Sequence, residues 1–347
     1  MSERLAVVLR LVRMGLLVLA LVLSLRLYWV VETQTPVRAA DAAPQPLVVA
    51  PGSSAEAIGR QLAEMGLVRH PLVFRLLVLV RGVGGSLKAG EYSLEGPMSL
   101  EQIVDVLARG EVVRNEVTFP EGLNAVEASE IVGARGLSAD AFLQATKNSS
   151  LVADLDADAS DLEGYLFPDT YDIPRTGDPE GVLVARMIQR FRDVMAPELP
   201  RIAEKKLTVR QVVTLASLVE RETARPEERP RIAAVFLNRL RKGMLLQTDP
   251  TVIYALRLAG RWDGNIRRAD LQIDSPYNTY RYPGIPPGPI ANPGRGALLG
   301  VIDPMDVKDL YFVSRNDGTH QFSETLAQHN RAVDRYQRRR PARAAGS

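Results

Sequence analysis

The stretch Thr208–Pro250 reads TVRQVVTLASLVERETARPEERPRIAAVFLNRLRKGMLLQTDP. Thr208 with Gln211 three residues later is a capping box, in which each side chain satisfies an orphan amide, so a helix starts here. At 100° per residue, Val212, Val213, Ala216 and Val219 fall within about 80° of Val209, on one face. Arg210, Gln211, Thr214, Arg221 and Glu222 collect on the other, with Leu215 and Leu218 as apolar exceptions. Glu220 breaks the pattern, lying about 20° from Val209 in the middle of the apolar stripe. A carboxylate held against valines loses hydration, which raises its pKa and favours the protonated form that a general acid needs at neutral pH. Two alternatives are bland: a glutamate at a fraying helix end reaching water, or one paired with an arginine. Glu222 falls where a solvated glutamate belongs.

Pro226 to Leu240 reads as a second helix, with Ile232, Val235, Phe236 and Leu240 on one face and Gly243 as its C-terminal cap. Arg239 lies between Val235 and Phe236 on that wheel, a second ionisable group on an apolar stripe. Gln247, Thr248 and Asp249 then form a polar loop, with Asp249 as an N-cap before a proline at the first helical position. Two antiparallel helices, each turning one charge inward, followed by such a loop, make a cleft wall. A buried Glu220–Arg239 ion pair is the structural alternative.

The blocks LASLVERET, VFLNRLRKGM and LQTDPTVIY, with SPYNTYRYPGIPPGPIANPG and YFVSRNDGTHQFSETLAQHNRAV downstream, resemble the endolytic murein transglycosylases of the YceG-like family. The resemblance runs from about Leu47 to about Tyr336. It implies that Glu220 is the catalytic acid/base of a lytic transglycosylase. Such an enzyme cuts the MurNAc–GlcNAc β-1,4 bond within nascent glycan strands, leaves a 1,6-anhydro-MurNAc end and terminates strand elongation, with no metal or cofactor. The implied partners are peptidoglycan strands and peptidoglycan synthases. The substrate-binding candidates are Arg239, Gln247, Thr248 and Asp249 of the cleft wall, with Tyr277, Asn278 and Tyr280, whose rings and amide suit stacking on and bonding to sugars. Asn278 is also a candidate for stabilising the transition state. Two rival functions stay open: a membrane-anchored glycan-binding scaffold without catalysis, and an aminodeoxychorismate lyase. The lyase would need a lysine for pyridoxal phosphate, and none of the lysines sits in a block that looks like a cofactor site.

Composition narrows the classes. A net charge of +2 gives no case for capture of nucleic acid. Cysteine is absent, which excludes disulfides and thiolate chemistry, and the three histidines are widely dispersed, so no histidine metal centre is expected. Arg4, Arg10 and Arg13 precede the apolar run Met14–Val31, whose 18 positions would span roughly 27 Å as a helix. The basic flank predicts a cytoplasmic N-terminus, with the rest of the chain outside the cytoplasmic membrane. Arg26 can snorkel outward, and Tyr28 and Trp29 suit the lipid interface. A cleaved signal peptide ending near Ala39-Ala40 is the competing reading.

The expected order is a cytoplasmic segment 1–13, a transmembrane helix 14–31, a linker 32–46, a LysM-like α+β module 47–113, a mixed α/β catalytic domain 114–336 and a basic tail 337–347. Within the module, Leu47–Ala50 and Gly90–Leu94 read as strands. Ser53 with Glu56, and Ser99 with Gln102, read as helix starts. In the catalytic region, EVTF near Arg114 is a strand, and Asn124 with Glu127, then Ser138, start small helices. The block EGYLFPDTY holds Glu163, a second carboxylate of interest, and Tyr165, Phe167 and Tyr171, of which at least two are expected in the core. The Pro/Gly series Gly284–Gly294 either holds sugar contacts rigidly or wraps the core. Leu310–Ser314 reads as a strand and Phe322–Tyr336 as the terminal helical region.

Overall fold

The computed structural model describes residues 2–37, 45–94, 96–112, 115–174 and 177–338; the expected cleavage site near Ala39-Ala40 and the tail beyond 338 lie outside them. The architecture is mixed α and β with an apolar N-terminal helix, and the chain divides into two compact units, 1–114 and 115–347.

In the first unit, helix α1 (Ser2–Gln34) carries the apolar run. Among the described residues it is the one helix long and apolar enough to cross a bilayer, and none of its most apolar window is buried. A core helix of a soluble protein would be covered, so this surface is built for lipid or for removal. Its end is different: Trp29 packs against the neighbouring core and Thr33 is buried. Strand β1 (Gln45–Val49), helices α2 (Ala55–Glu64) and α3 (Pro71–Val80), strand β2 (Gly90–Leu94) and helix α4 (Leu100–Arg109) follow, with β1 and β2 antiparallel. Leu47, Phe74, Tyr92, Ile103 and Leu107 fill a core of their own. The Ser99–Gln102 capping box forms, but α2 is capped by Ser54, not Ser53. Helix α3, whose apolar residues run almost unbroken, has no amphipathic signature to announce it.

The second unit holds β3 (Glu116–Thr118), α5 (Ala125–Ala134), α6 (Ala139–Ala145), β4 (Thr170–Asp172), α7 (Pro179–Met195), α8 (Leu199–Glu204), α9 (Val209–Glu222), α10 (Arg229–Arg241), α11 (Asp249–Leu258), α12 (Arg295–Ile302), β5 (Tyr311–Ser314), β6 (His320–Ser323) and α13 (Leu326–Val333). The β3–β4 and β5–β6 pairs are separate antiparallel ladders. Capping boxes at Asn124 and Thr208, and the cap at Ser138, start α5, α9 and α6 as the side-chain chemistry predicts. Three local expectations need correction. Thr248, not Asp249, is the N-cap of α11; a 3-10 turn at Pro226–Glu228 precedes α10; and Phe322 belongs to strand β6, so the last helix starts only at Leu326.

Helix α9 is the axis of this unit. Every residue from Val212 to Val219 is buried, including Ser217 and, on the supposed polar side, Thr214. Burying a Val or Leu side chain contributes roughly 1.5–3 kcal/mol, so a helix covered on all sides anchors the unit. The Pro/Gly series wraps it: the Ile290 amide donates to Ser217 Oγ at 3.1 Å, and Arg210 donates to the Pro287 carbonyl and to Asp156. Tyr165, Phe167 and Tyr171 are all buried in the same core. Gly164 is pinned beside it at φ +88°, where an added Cβ would lie 2.4 Å from Pro289 and 2.8 Å from Val213. Asn292 fastens the loop, accepting from the Gly164 and Leu166 amides at 2.8 and 3.0 Å and donating to the Leu123 carbonyl at 2.8 Å.

Candidate active site

The last turn of α9 carries two carboxyl groups with different surroundings. Glu220 does face inward, as its place on the apolar stripe requires, and its side chain is 5% exposed. Both of its oxygens are engaged: Arg229 Nη2 donates to one at 2.6 Å and the Gly294 amide to the other at 2.9 Å. Burial pushes the Glu220 pKa up, and the Gly294 bond and the Arg229 charge pull it down, with a net rise. Arg229 is shared with Glu121 at 2.8 Å.

The Glu220–Arg239 pair, the structural alternative, therefore does not form. Arg239 instead donates to the carbonyls of Leu310 at 2.7 Å and Leu246 at 2.8 Å, and its guanidinium lies 5.2 Å from the Tyr311 ring centroid. It fastens the end of α10 to β5 and to the loop before α11.

Glu222 corrects the other expectation, since it is not a solvated surface glutamate. Its carboxyl lines a cleft of about 430 Å³ with Arg239, Gln247, Asp249, Tyr280, Phe312 and His320. Burial pushes its pKa up to about 6; the Thr248 hydroxyl, which donates to it, lowers it and the Asp249 charge raises it. At neutral pH such a group keeps a usable protonated fraction while its conjugate base stays competent. Glu222 also lines a second depression, one that Glu220 shares, with Glu121, Gly122, Leu123, Arg221 and Arg229. It thus stands where two recesses meet.

The loop and hairpin around Glu222 follow from short sequence signals. Gln247 takes φ +50°, turning the chain so that Thr248, at the N-cap position of α11, points its hydroxyl at Glu222 and not at the helix. Asp249 accepts from the Tyr280 hydroxyl at 2.5 Å. The β5–β6 hairpin, turned at Asn316 and Gly318 with positive φ, brings His320 into the cleft. Glu228 accepts from the His320 amide at 2.8 Å and bonds its Nδ1 at 2.7 Å. Burial pushes Glu228 up, but the His320 bonds outweigh it and hold the carboxyl below its usual range. His329 stacks on Tyr311 with ring centroids 5.2 Å apart. Its buried Nδ1 has no hydrogen-bond partner among the described residues, and burial lowers its pKa.

Of the predicted binding residues, Arg239, Gln247, Thr248, Asp249 and Tyr280 surround Glu222. Tyr277 and Asn278 do not. Asn278 is fully buried and donates to the carbonyls of Leu271 and Ile273 at 3.0 and 2.8 Å, leaving nothing for a sugar or a transition state. Tyr277 packs on Tyr254, centroids 4.9 Å apart, away from the cleft. Glu222, His320 and His329 line the cleft and were not among the expected binding residues. The signal for Glu222 was present: Leu215 and Leu218 flank it on the helical wheel, and two leucines on a nominally polar face mean that face is covered too.

The fold and the site, two glutamates of a buried helix beside a polar cleft, can be set against known proteins. The chain belongs to the YceG-like family, whose model matches residues 47–335. It is 33% identical over 304 residues to an endolytic murein transglycosylase of Bacillus subtilis, covering 82% of each chain. A Streptococcus pneumoniae protein of the same name matches at 33% identity over 315 residues, 81% of this chain and 56% of its own length. A crystal structure of a yceG-like protein from Listeria monocytogenes superposes with a TM-score of 0.58 at 30% identity, over 83% of this chain and 98% of that one.

Proposed function

We propose that the protein is a membrane-anchored endolytic lytic transglycosylase of peptidoglycan, with Glu222 as its acid/base. The observation that carries this is a carboxyl of raised pKa at the junction of two recesses. An enzyme that cuts inside a polymer must accommodate chain on both sides of the reacting bond, and a group at such a junction can address that bond.

Ordinary glycosidases set two carboxylates across the scissile bond. Glu220, whose oxygens accept from Arg229 and Gly294, lines the second recess and is the alternative acid/base that the resemblance implies. A single acid/base is enough when the attacking group belongs to the substrate. Protonated Glu222 gives its proton to the glycosidic oxygen as the bond to the anomeric carbon breaks. The resulting carboxylate takes the proton of the muramoyl 6-hydroxyl as that oxygen closes on the same carbon, giving a 1,6-anhydro end without water. Thr248 orients the carboxyl and stabilises the anionic stage. Glu220 acts as a positioning residue, fixing the end of α9 to the loop at Gly294.

In this reading the first unit is the LysM-like module, α1 is the anchor, and the two compact units correspond to the expected module and catalytic domain. Cutting nascent strands would make the enzyme a terminase of elongation, with peptidoglycan synthases as partners. The lyase reading has little support, because no lysine lines the Glu222 cleft among the described residues.

The test is digestion of purified sacculi by the wild type, Glu222→Gln and Glu220→Gln. Wild type should release anhydro-muropeptides. Glu222→Gln should fold, bind glycan and lose activity by about 10²–10⁴-fold, the range for losing a general acid. Glu220→Gln should keep measurable cleavage while losing stability, on the order of 3 kcal/mol for a buried arginine left with one partner fewer. Full activity in folded Glu222→Gln would sink the assignment and point to Glu220, whereas a wild type that binds glycan but releases no anhydro-muropeptides would favour the glycan-binding scaffold.

A further inference from the structure

A cavity of about 360 Å³ lies apart from the Glu222 cleft and shares no lining residue with it. Its inner end is formed by buried Glu163, with Tyr254 of α11 beside it. Its mouth is apolar: Val126 and Leu258 are both more than half exposed there, next to Trp262. Lys147 adds a cation at the lip, and Asp161 adds a carboxylate to the lining. One wall is Arg257, whose Nη2 pairs with Glu127 at 2.8 Å while its buried Nε has no hydrogen-bond partner among the described residues.

The cavity is close to the groove through a single carboxylate. The second oxygen of Glu127 pairs with Arg221 at 3.4 Å, and Arg221 lines the recess that meets Glu222. A ligand in the groove and one in the cavity would therefore be near neighbours.

We propose that this cavity binds the peptide branch of the substrate: a short, carboxylate-bearing peptide attached to a muramoyl residue lying in the groove. The inference rests on the proposed murein-cleaving function. A glycan strand needs a passage open at both ends, whereas a cavity closed by Glu163 can take only a chain end or a side branch. The Arg257 Nε–H lacks an acceptor, and Lys147 supplies a cation, so acceptor-rich amides and a carboxylate fit better than hydroxyls, which give and accept equally. Small aliphatic side chains suit the Val126–Leu258 mouth. Burial, which also pushes the Glu163 carboxyl up to about 8, leaves it protonated at neutral pH and able to donate to a peptide carbonyl.

The experiment titrates the full-length protein in detergent micelles with N-acetylmuramoyl-L-alanyl-D-isoglutamine and, separately, with chitotetraose. Trp262→Ala and Lys147→Glu alter the mouth without touching the core. Each should weaken the muramoyl peptide about tenfold and leave chitotetraose unchanged. On sacculi both variants should raise KM, with kcat and the cleavage of glycan stripped of peptide unaltered. Muramoyl-peptide affinity that ignores both substitutions would overturn the proposal. Loss of chitotetraose binding in the same variants would overturn it too, in favour of a sugar site. Because peptide binding is read without catalysis, failure of the Glu222 mechanism would appear separately, as cleavage surviving in Glu222→Gln.

Discussion

At the residue scale, the two glutamates of α9 differ because of what surrounds each, although they stand only two positions apart. Glu220 is met by a guanidinium and a backbone amide, which offset part of the rise that burial gives its pKa. Glu222 is met by a hydroxyl and by a neighbouring acid, and stays poised near 6. This gives a pH prediction with a definite sign. Protonated Glu222 is the reactive form, so kcat should be level below about pH 6 and fall tenfold per unit above it. The Thr248 bond favours the anion, so Thr248→Val should raise the pKa and move the alkaline limb upward. A steady-state pH profile of the two proteins checks this; a limb that stays in place would mean that Thr248 does not act on the carboxyl.

At the scale of elements, the Pro/Gly series wraps the core helix. Asn292 joins it to the EGYLFPDTY segment, and Asn292→Ala would leave the buried Gly164 and Leu166 amides without their acceptor. Each such orphan costs about 1–3 kcal/mol, so a loss of roughly 3 kcal/mol is expected in urea unfolding. Glu163, which accepts from the Ala125 amide at 3.1 Å and Asn292 Nδ2 at 3.2 Å, predicts a pH effect on stability. Its folded pKa is raised to about 8. The folded state thus holds a proton that the unfolded chain releases above its ordinary carboxylate pKa, and stability falls as pH rises from there through about 8. Glu163→Gln cannot ionise, so its Tm should decline less than that of the wild type between pH 5 and pH 9. Parallel curves would show that Glu163 is already ionised in the native protein.

For the whole molecule, the question is where the second unit works. The bare apolar surface of α1 and the arginines before it predict a single anchor, with the C-terminus outside the cytoplasm. A C-terminal alkaline phosphatase fusion should be active and a β-galactosidase fusion inactive, and the protein should stay with membranes through a carbonate wash. Release of a mature chain beginning near Ala40 would favour the signal-peptide reading.

What the sequence determined by itself was whatever depends on near neighbours in the chain. Caps at Asn124, Ser138 and Thr208, the apolar span, the turn glycines and the recurring family blocks need only local chemistry to be read. The inward turn of Glu220 was also legible, because it follows from 100° steps along one helix. Tertiary structure alone decided which partner met each charge. Arg229, and not Arg239, reached Glu220, and Asn278 spent its amide on its own loop. Helical periodicity separates two faces but cannot say whether the second face meets water or more protein. Helix α9 is enclosed on both, so Glu222, placed by pattern in solvent, came to rest in the cleft, where desolvation gives it the pKa of an acid.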